Sequence, residues 1–142
     1  MNIIIASDHG GYELKELLKK KIVALGHTIE DVGCDSLDSV DYPDYAQRAV
    51  DALVEHGDRG VLICGTGIGM SIAANRNRSV RAALCHDEYT AAMSREHNDA
   101  NILCMGARVL SPERAQQVLH TWLTTEFVGG RHLQRITKFS DI

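Results

Sequence analysis

Short, continuous apolar runs alternate along this chain with longer segments whose apolar residues recur every third or fourth position, and that alternation leaves few folds open. Asn2–Ser7 reads as a buried strand, after which Tyr12, Leu14, Leu17, Leu18, Ile22 and Leu25 follow at helical spacing until Gly26 ends the run. Residues 27–32 read as a second strand. A polar loop over 34–42 then leads to a helix opened near Pro43, with Ala46, Ala49, Val50 and Leu53 facing inward. A third strand, 60–64, breaks into Gly65-Thr66-Gly67-Ile68-Gly69 before a helix over 70–75. Residues 81–85, 87–96, 101–105 and Pro112–Thr124 continue as strand, helix, strand and helix. Strands separated by helices pair in parallel through right-handed crossovers. The expected fold is therefore α/β, a Rossmann-like three-layer sandwich with a five-stranded parallel sheet. No linker, repeat or charge block interrupts the pattern, so residues 1–142 are expected to form one domain with a basic tail over 129–142.

A chain of 142 residues can build a core without disulfides or metals. Its 15 Lys+Arg against 19 Asp+Glu leave a net charge of −4, which argues against a nucleic-acid partner. No apolar stretch approaches a membrane span or a signal sequence, so a cytoplasmic protein without membrane contact is expected. The cysteines, Cys34, Cys64, Cys85 and Cys104, form no CxxC pair, so neither a zinc site nor a redox dithiol is expected.

In such sheets ligands bind beyond the carboxyl ends of the strands, where the winding direction reverses. Asp8 and His9 follow the first strand, Cys64 to Gly69 the third and Arg108 the fifth, so all fall on that edge. The glycines of 65–69 let several backbone N–H groups converge on one centre, which suits a phosphate or an enediolate oxyanion. The stretch lacks GxGxxG spacing and the Lys-Ser/Thr ending of a P-loop, so neither a dinucleotide nor a triphosphate is indicated; a plain strand-to-helix turn is the bland alternative. Cys64 immediately precedes the turn. A free thiol, with a pKa of about 8.5, is only about 3% thiolate at pH 7, and a helix terminus supplies about 0.3 to 2 kcal/mol toward ionisation. Cys85 and Cys104 sit at similar strand ends and read as structural. His97-Asn98-Asp99 falls on the opposite, amino edge: it either caps a turn or reaches the site of a neighbouring subunit. Arg131 and Arg135, four apart in the tail, place two guanidiniums on one helical face, as a phosphate clasp or a solvated basic end. Arg76, Arg78 and Arg81 read as structural.

Five stretches taken together, Ser7-Asp8-His9-Gly10-Gly11, Asp41-Tyr42-Pro43, residues 63–69, residues 94–99 and Gly129-Gly130-Arg131-His132, resemble the type B ribose-5-phosphate isomerases across nearly the whole chain. The resemblance implies interconversion of ribose 5-phosphate and ribulose 5-phosphate through a cis-enediolate, with no metal or cofactor, in a homodimer or larger homo-oligomer with shared sites. By that resemblance Cys64 is the base between C1 and C2, His97 assists ring opening, and Asp8 handles ring or hydroxyl protons. The groups of Gly65, Thr66, Gly67, Ile68 and Gly69 would hold the oxyanion, and Tyr42 and Asn98 would orient hydroxyls. His9, Arg108, Arg131 and Arg135 would meet the phosphate or its neighbouring oxygens. Members of the family that lack the cysteine use a glutamate in the following helix, and residues 71–75 contain no acid. A hexose-6-phosphate isomerase on the same scaffold (allose or galactose 6-phosphate) is the first alternative, and a non-catalytic phosphometabolite-binding module the second.

Overall fold

The computed structural model describes residues 1–142. Strands β1 (Asn2–Ser7), β2 (Thr28–Asp31), β3 (Arg59–Cys64), β4 (Ala82–Leu84) and β5 (Ile102–Gly106) form one all-parallel sheet in the order β2-β1-β3-β5-β4. Helices α1 (Tyr12–Ala24), α2 (Tyr42–His56), α3 (Ile68–Ala74), α4 (Glu88–Glu96) and α5 (Pro112–Thr124) connect or follow the strands, and α6 (Arg131–Ile136) closes the chain. None is long and apolar enough to cross a membrane.

Alternation along the strands divides the core between the two faces of the sheet. Ile3, Ile5, Val61, Ile63, Leu103 and Met105 pack with α1, α4 and α5, and Trp122 is wholly buried among them. Ile4, Ala6, Leu62, Cys64, Ile102 and Cys104 face α2 and α3. These are the three layers expected of an α/β sandwich, and the element boundaries fall within two residues of those read from the sequence.

Strand order follows burial. Every residue of β3 and β5 is buried, as central strands require, whereas β2 and β4 are partly exposed and take the edges. On β4, the Asn75 side chain donates to the Ala82 carbonyl at 2.9 Å and accepts the Ala82 N–H at 2.8 Å, as a neighbouring strand would. Placing β5 beside β3 sets Gly106 opposite Cys64. The last strand therefore delivers its loop directly to the glycine turn.

Two further ties shape the ends of the sheet. Lys15 lies wholly buried in α1, and its Nζ donates to Asp31 at 2.7 Å and to the Cys34 carbonyl at 2.5 Å, pinning the start of the 34–42 loop. Burial pushes the Asp31 carboxyl up, but bonds from Lys15, Lys19 and the Gly33 N–H outweigh it and hold the group below its ordinary range. The basic tail is docked: Ile136 and Ser140 are buried, Ser140 Oγ donates to the Arg78 carbonyl at 2.8 Å, and the Asp141 N–H reaches the same oxygen at 2.9 Å.

Candidate active site

Winding reverses between β1 and β3, since α1 covers one face and α2 the other. At that point Asp8 leaves β1, and its nearly buried carboxylate accepts the Gly11 N–H at 3.1 Å, capping a single 3-10 turn over His9–Gly11. That turn lies hard against β3, for a Cβ on Gly11 would come within 2.6 Å of the Ile63 carbonyl oxygen. His9 accepts the Val40 N–H on Nδ1 at 3.2 Å, so a neutral ring carries its proton on Nε2. The 34–42 loop thus orients the imidazole.

Cys64, at the end of β3, is 5% exposed. Its side chain belongs to the apolar layer under α2 and α3, but Sγ turns to the glycine turn and accepts the Gly67 N–H at 3.1 Å. Gly67 has φ +80°, a conformation that glycine adopts without strain, and a Cβ there would meet Leu84 at 2.6 Å. The N–H groups of Gly65, Thr66 and Gly69 make no hydrogen bond within the chain. Amide donors without partners beside a sulfur form a cradle for a negatively charged oxygen. At Cys85 and Cys104 burial pushes the thiols up, Cys104 far up, which fits their structural reading.

Arg108 reaches over the turn. A methyl placed on Gly65 would lie 3.2 Å from its Nη1, and one on Gly10 would lie 3.6 Å from its Nη2. The Tyr42 ring packs on Gly69, whose Cβ would fall 2.5 Å from the phenol Cζ. The structure therefore brings Asp8, His9, Tyr42, residues 64–69 and Arg108 to one edge.

It does not bring His97, Asn98, Arg131 and Arg135 there. His97 caps the C-terminus of α4, before β5 begins, and β5 must climb from Ile102 to Gly106 to reach the level of Cys64, about 13 Å at 3.3 Å per residue. On the amino edge the His97 ring stacks on His132 of α6, with centroids 4.3 Å apart. His132 is held below the ordinary histidine range by desolvation, then by His97, Arg131 and Arg135. In the sequence His132 stood out as part of a basic tail and of the Gly129-Gly130-Arg131-His132 stretch, with no signal of a partner for its ring.

Three charged residues around this turn, Arg81, Arg95 and Asp99, make contacts that the sequence reading did not assign. Asp99 adopts φ +45°, and its carboxylate takes Arg95 Nη1 at 2.9 Å and Arg81 Nη2 at 3.5 Å. Arg81 Nε donates to the carbonyls of Asn98 and Asp99 at 3.2 and 3.0 Å. The four-residue spacing of Arg95 and Asp99 was the available signal for their pair. Arg81 carried none.

Thiol and carboxylate beside an amide-lined turn can move protons next to a developing oxyanion, and simple anion capture needs neither. Fold and edge together are those of an α/β enzyme. The chain belongs to the ribose/galactose isomerase family, whose model matches residues 3–139. It is similar to ribose-5-phosphate isomerase B of Escherichia coli, at 41% identity over 99% of this chain and 95% of that one. Among solved structures it is similar to ribose-5-phosphate isomerase B of Clostridium thermocellum, at 48% identity and TM-score 0.95 over 97% of this chain and 94% of that one. The ribose-5-phosphate isomerase of Thermotoga maritima gives 48% identity and TM-score 0.95 over 99% and 98%.

Proposed function

We propose that this isomerase interconverts ribose 5-phosphate and ribulose 5-phosphate through a cis-enediolate, with side chains alone moving the protons, in a homodimer whose sites are each built from two chains. The observation that carries this reading is the Cys64 sulfur, aimed at the Gly67 N–H at 3.1 Å beside a row of unpaired amides.

An aldose-ketose shift needs a base beside the carbon acid, electrostatic support for the enediolate and a distant anchor that orients the reacting carbons. In the proposed sequence Asp8 takes the anomeric hydroxyl proton while His97 protonates the ring oxygen, and the furanose opens to the aldehyde. Cys64, as thiolate, removes the C2 proton, and the charge that moves onto O1 meets the amides of 65–69. The thiol returns that proton to C1, the O2 hydroxyl proton passes to O1, and the ketose results. Tyr42 and Asn98 orient hydroxyls. His9 and Arg108 of one chain and Arg131 and Arg135 of the other hold the phosphate. Nearly complete burial suits the sulfur, because a base stripped of water acts on a carbon acid without competing solvation.

One chain cannot assemble this set, since its two groups occupy opposite sheet edges. A second copy that lays its amino-edge group over the glycine turn completes it. Ile68 and Ile72 of α3, beside the turn, are 51% and 57% exposed, and Leu133 of α6 is 44% exposed, which gives both halves apolar surface to cover. The test mixes two inactive variants, Cys64→Ala and His97→Asn, after partial unfolding and refolding, and assays phosphorylated aldoses of five and six carbons. Random pairing leaves half the dimers mixed, each with one intact site, so activity on ribose 5-phosphate recovers to about a quarter of wild type. No recovery would place both residues in one chain's site, and preferential turnover of a hexose phosphate would overturn the pentose assignment.

A further inference from the structure

Nothing in the proposed reaction uses Arg81, yet it bonds both the turn beside His97 and the end of the tail. Its side chain is 10% exposed at the entrance to β4. Nε spans the carbonyls of Asn98 and Asp99, Nη2 faces the Asp99 carboxylate, and Nη1 donates to Ser140 Oγ at 2.9 Å. Ser140 in turn bonds the Arg78 carbonyl, and Arg78 Nε pairs with Asp141 at 3.2 Å. One guanidinium thus links the turn that carries His97 and Asn98 to the segment that ends the arginine-bearing tail. Its planar fork spreads donors over three nitrogens and so reaches acceptors on both segments at once, whereas an ammonium's donors radiate from a single nitrogen. Asp99 needs this support, because a non-glycine residue at φ +45° costs free energy unless its surroundings hold it there.

We infer that Arg81, acting through Asp99 and Ser140, is a positioning residue that fixes His97–Asn98 and the α6 tail as one rigid unit for presentation to a neighbouring site. The inference rests on the functional reading above and deepens it: ring opening and phosphate capture, assigned to separate segments, share a single mechanical anchor. Its prediction is specific. Loosening Arg81 disturbs the His97–His132 stack and slows turnover while leaving the Cys64 half untouched.

The experiment compares wild type, Arg81→Ala, Arg81→Lys and Asp99→Asn in the full-length chain. The ring signals of His97 and His132 are followed by 1H–13C NMR, steady-state kinetics are measured with ribose 5-phosphate, and the rate of Cys64 alkylation by iodoacetamide is recorded in protein diluted to monomers, where no neighbouring chain covers the turn. In Arg81→Ala both histidine signals lose their mutual ring-current displacement, kcat falls about tenfold to a hundredfold and KM rises, as for an angstrom-scale misplacement; alkylation keeps its wild-type rate. Arg81→Lys restores only part of the loss, and Asp99→Asn, which tolerates the positive φ but removes the charge, behaves like a milder Arg81→Ala. Histidine signals unmoved in Arg81→Ala, or unchanged kcat and KM, overturn the inference. Alkylation accelerated in parallel with lost turnover also overturns it, because general loosening then explains both. A wild-type chain inactive on every sugar phosphate sinks the functional reading instead, and that measurement is made first.

Discussion

Gly106→Ala tests whether the glycine turn must sit where β5 places it. A Cβ at position 106 would lie 2.6 Å from both the carbonyl carbon and the carbonyl oxygen of Thr66, and 2.7 Å from its Cα. Ordinary contact begins near 3.4 Å, so something must yield by about 0.8 Å. All three neighbours are backbone, and β5 is locked between β3 and β4, so the turn is the part that moves. Overpacking of this kind costs about 1 to 3 kcal/mol, which for a domain of this size lowers Tm by about 3 to 10 °C. A displacement near 0.8 Å carries the amides of Gly65 to Gly67 away from the Cys64 sulfur, and kcat is expected to fall about tenfold to a hundredfold. The control is Gly57→Ala, whose Cβ would meet Ile4 Cγ1 at 2.6 Å, far from the turn. It should lose comparable stability and keep its kcat. Both variants are compared by thermal unfolding and by initial rates well below Tm. Wild-type kcat in Gly106→Ala, or equal losses in the two variants, refutes the reasoning that turn position sets the rate.

Two predictions concern pH. Because the Asp31 carboxyl is held below its unfolded value of about 3.9, its stabilisation is complete above that pH and is lost as pH falls through the lower folded value. Asp31→Asn, which strands the buried Lys15 ammonium, should be markedly less stable at pH 7 yet lose less further stability between pH 5 and pH 2; urea midpoints at both ends check this, and parallel loss in the two proteins counts against it. His132 has linkage of the same sign from the opposite cause: its folded value lies below about 6.5 because desolvation and the neighbouring cations favour the neutral ring, so the unfolded chain takes up the proton first and acid weakens tail docking. An NMR titration should place its midpoint below that of an unstructured histidine, and a midpoint at or above 6.5 shows that His97 and the flanking arginines do not act on it.

The sequence made some of this architecture plain because local rules governed it. Ile3 to Ala6 and Val61 to Cys64 are apolar throughout, the mark of strands covered on both faces, and Pro112 with Ser111 before it set the start of α5 where the structure has it. Asp8, His9, residues 64–69 and Arg108 were legible for the same reason, since each follows closely on a strand, whereas Tyr42 opens α2 and stood out only through the family resemblance. Strand order was not, because whether β5 pairs with β3 or lies outside β4 depends on burial across the whole sheet. Nor was the role of Arg81, whose bond to Asp99 spans 18 residues and whose neighbours Arg76 and Arg78 look alike in sequence. The separation of the two groups of site residues could be read from His97's place between a helix and a strand. The stacking of His132 on it could not, since it depends on how the tail docks.

Asn75 has a consequence for how copies of this chain can meet. By occupying the outward N–H and C=O of Ala82, one carboxamide denies an incoming strand its first foothold on that border. Copies therefore meet a blocked position on that border, and the proposed pairing of copies uses instead the helices and loops at the two ends, where the proposed reactive groups lie. In the proposed dimer, self-recognition and chemistry draw on the same terrain, and neither can drift in evolution without the other registering the change.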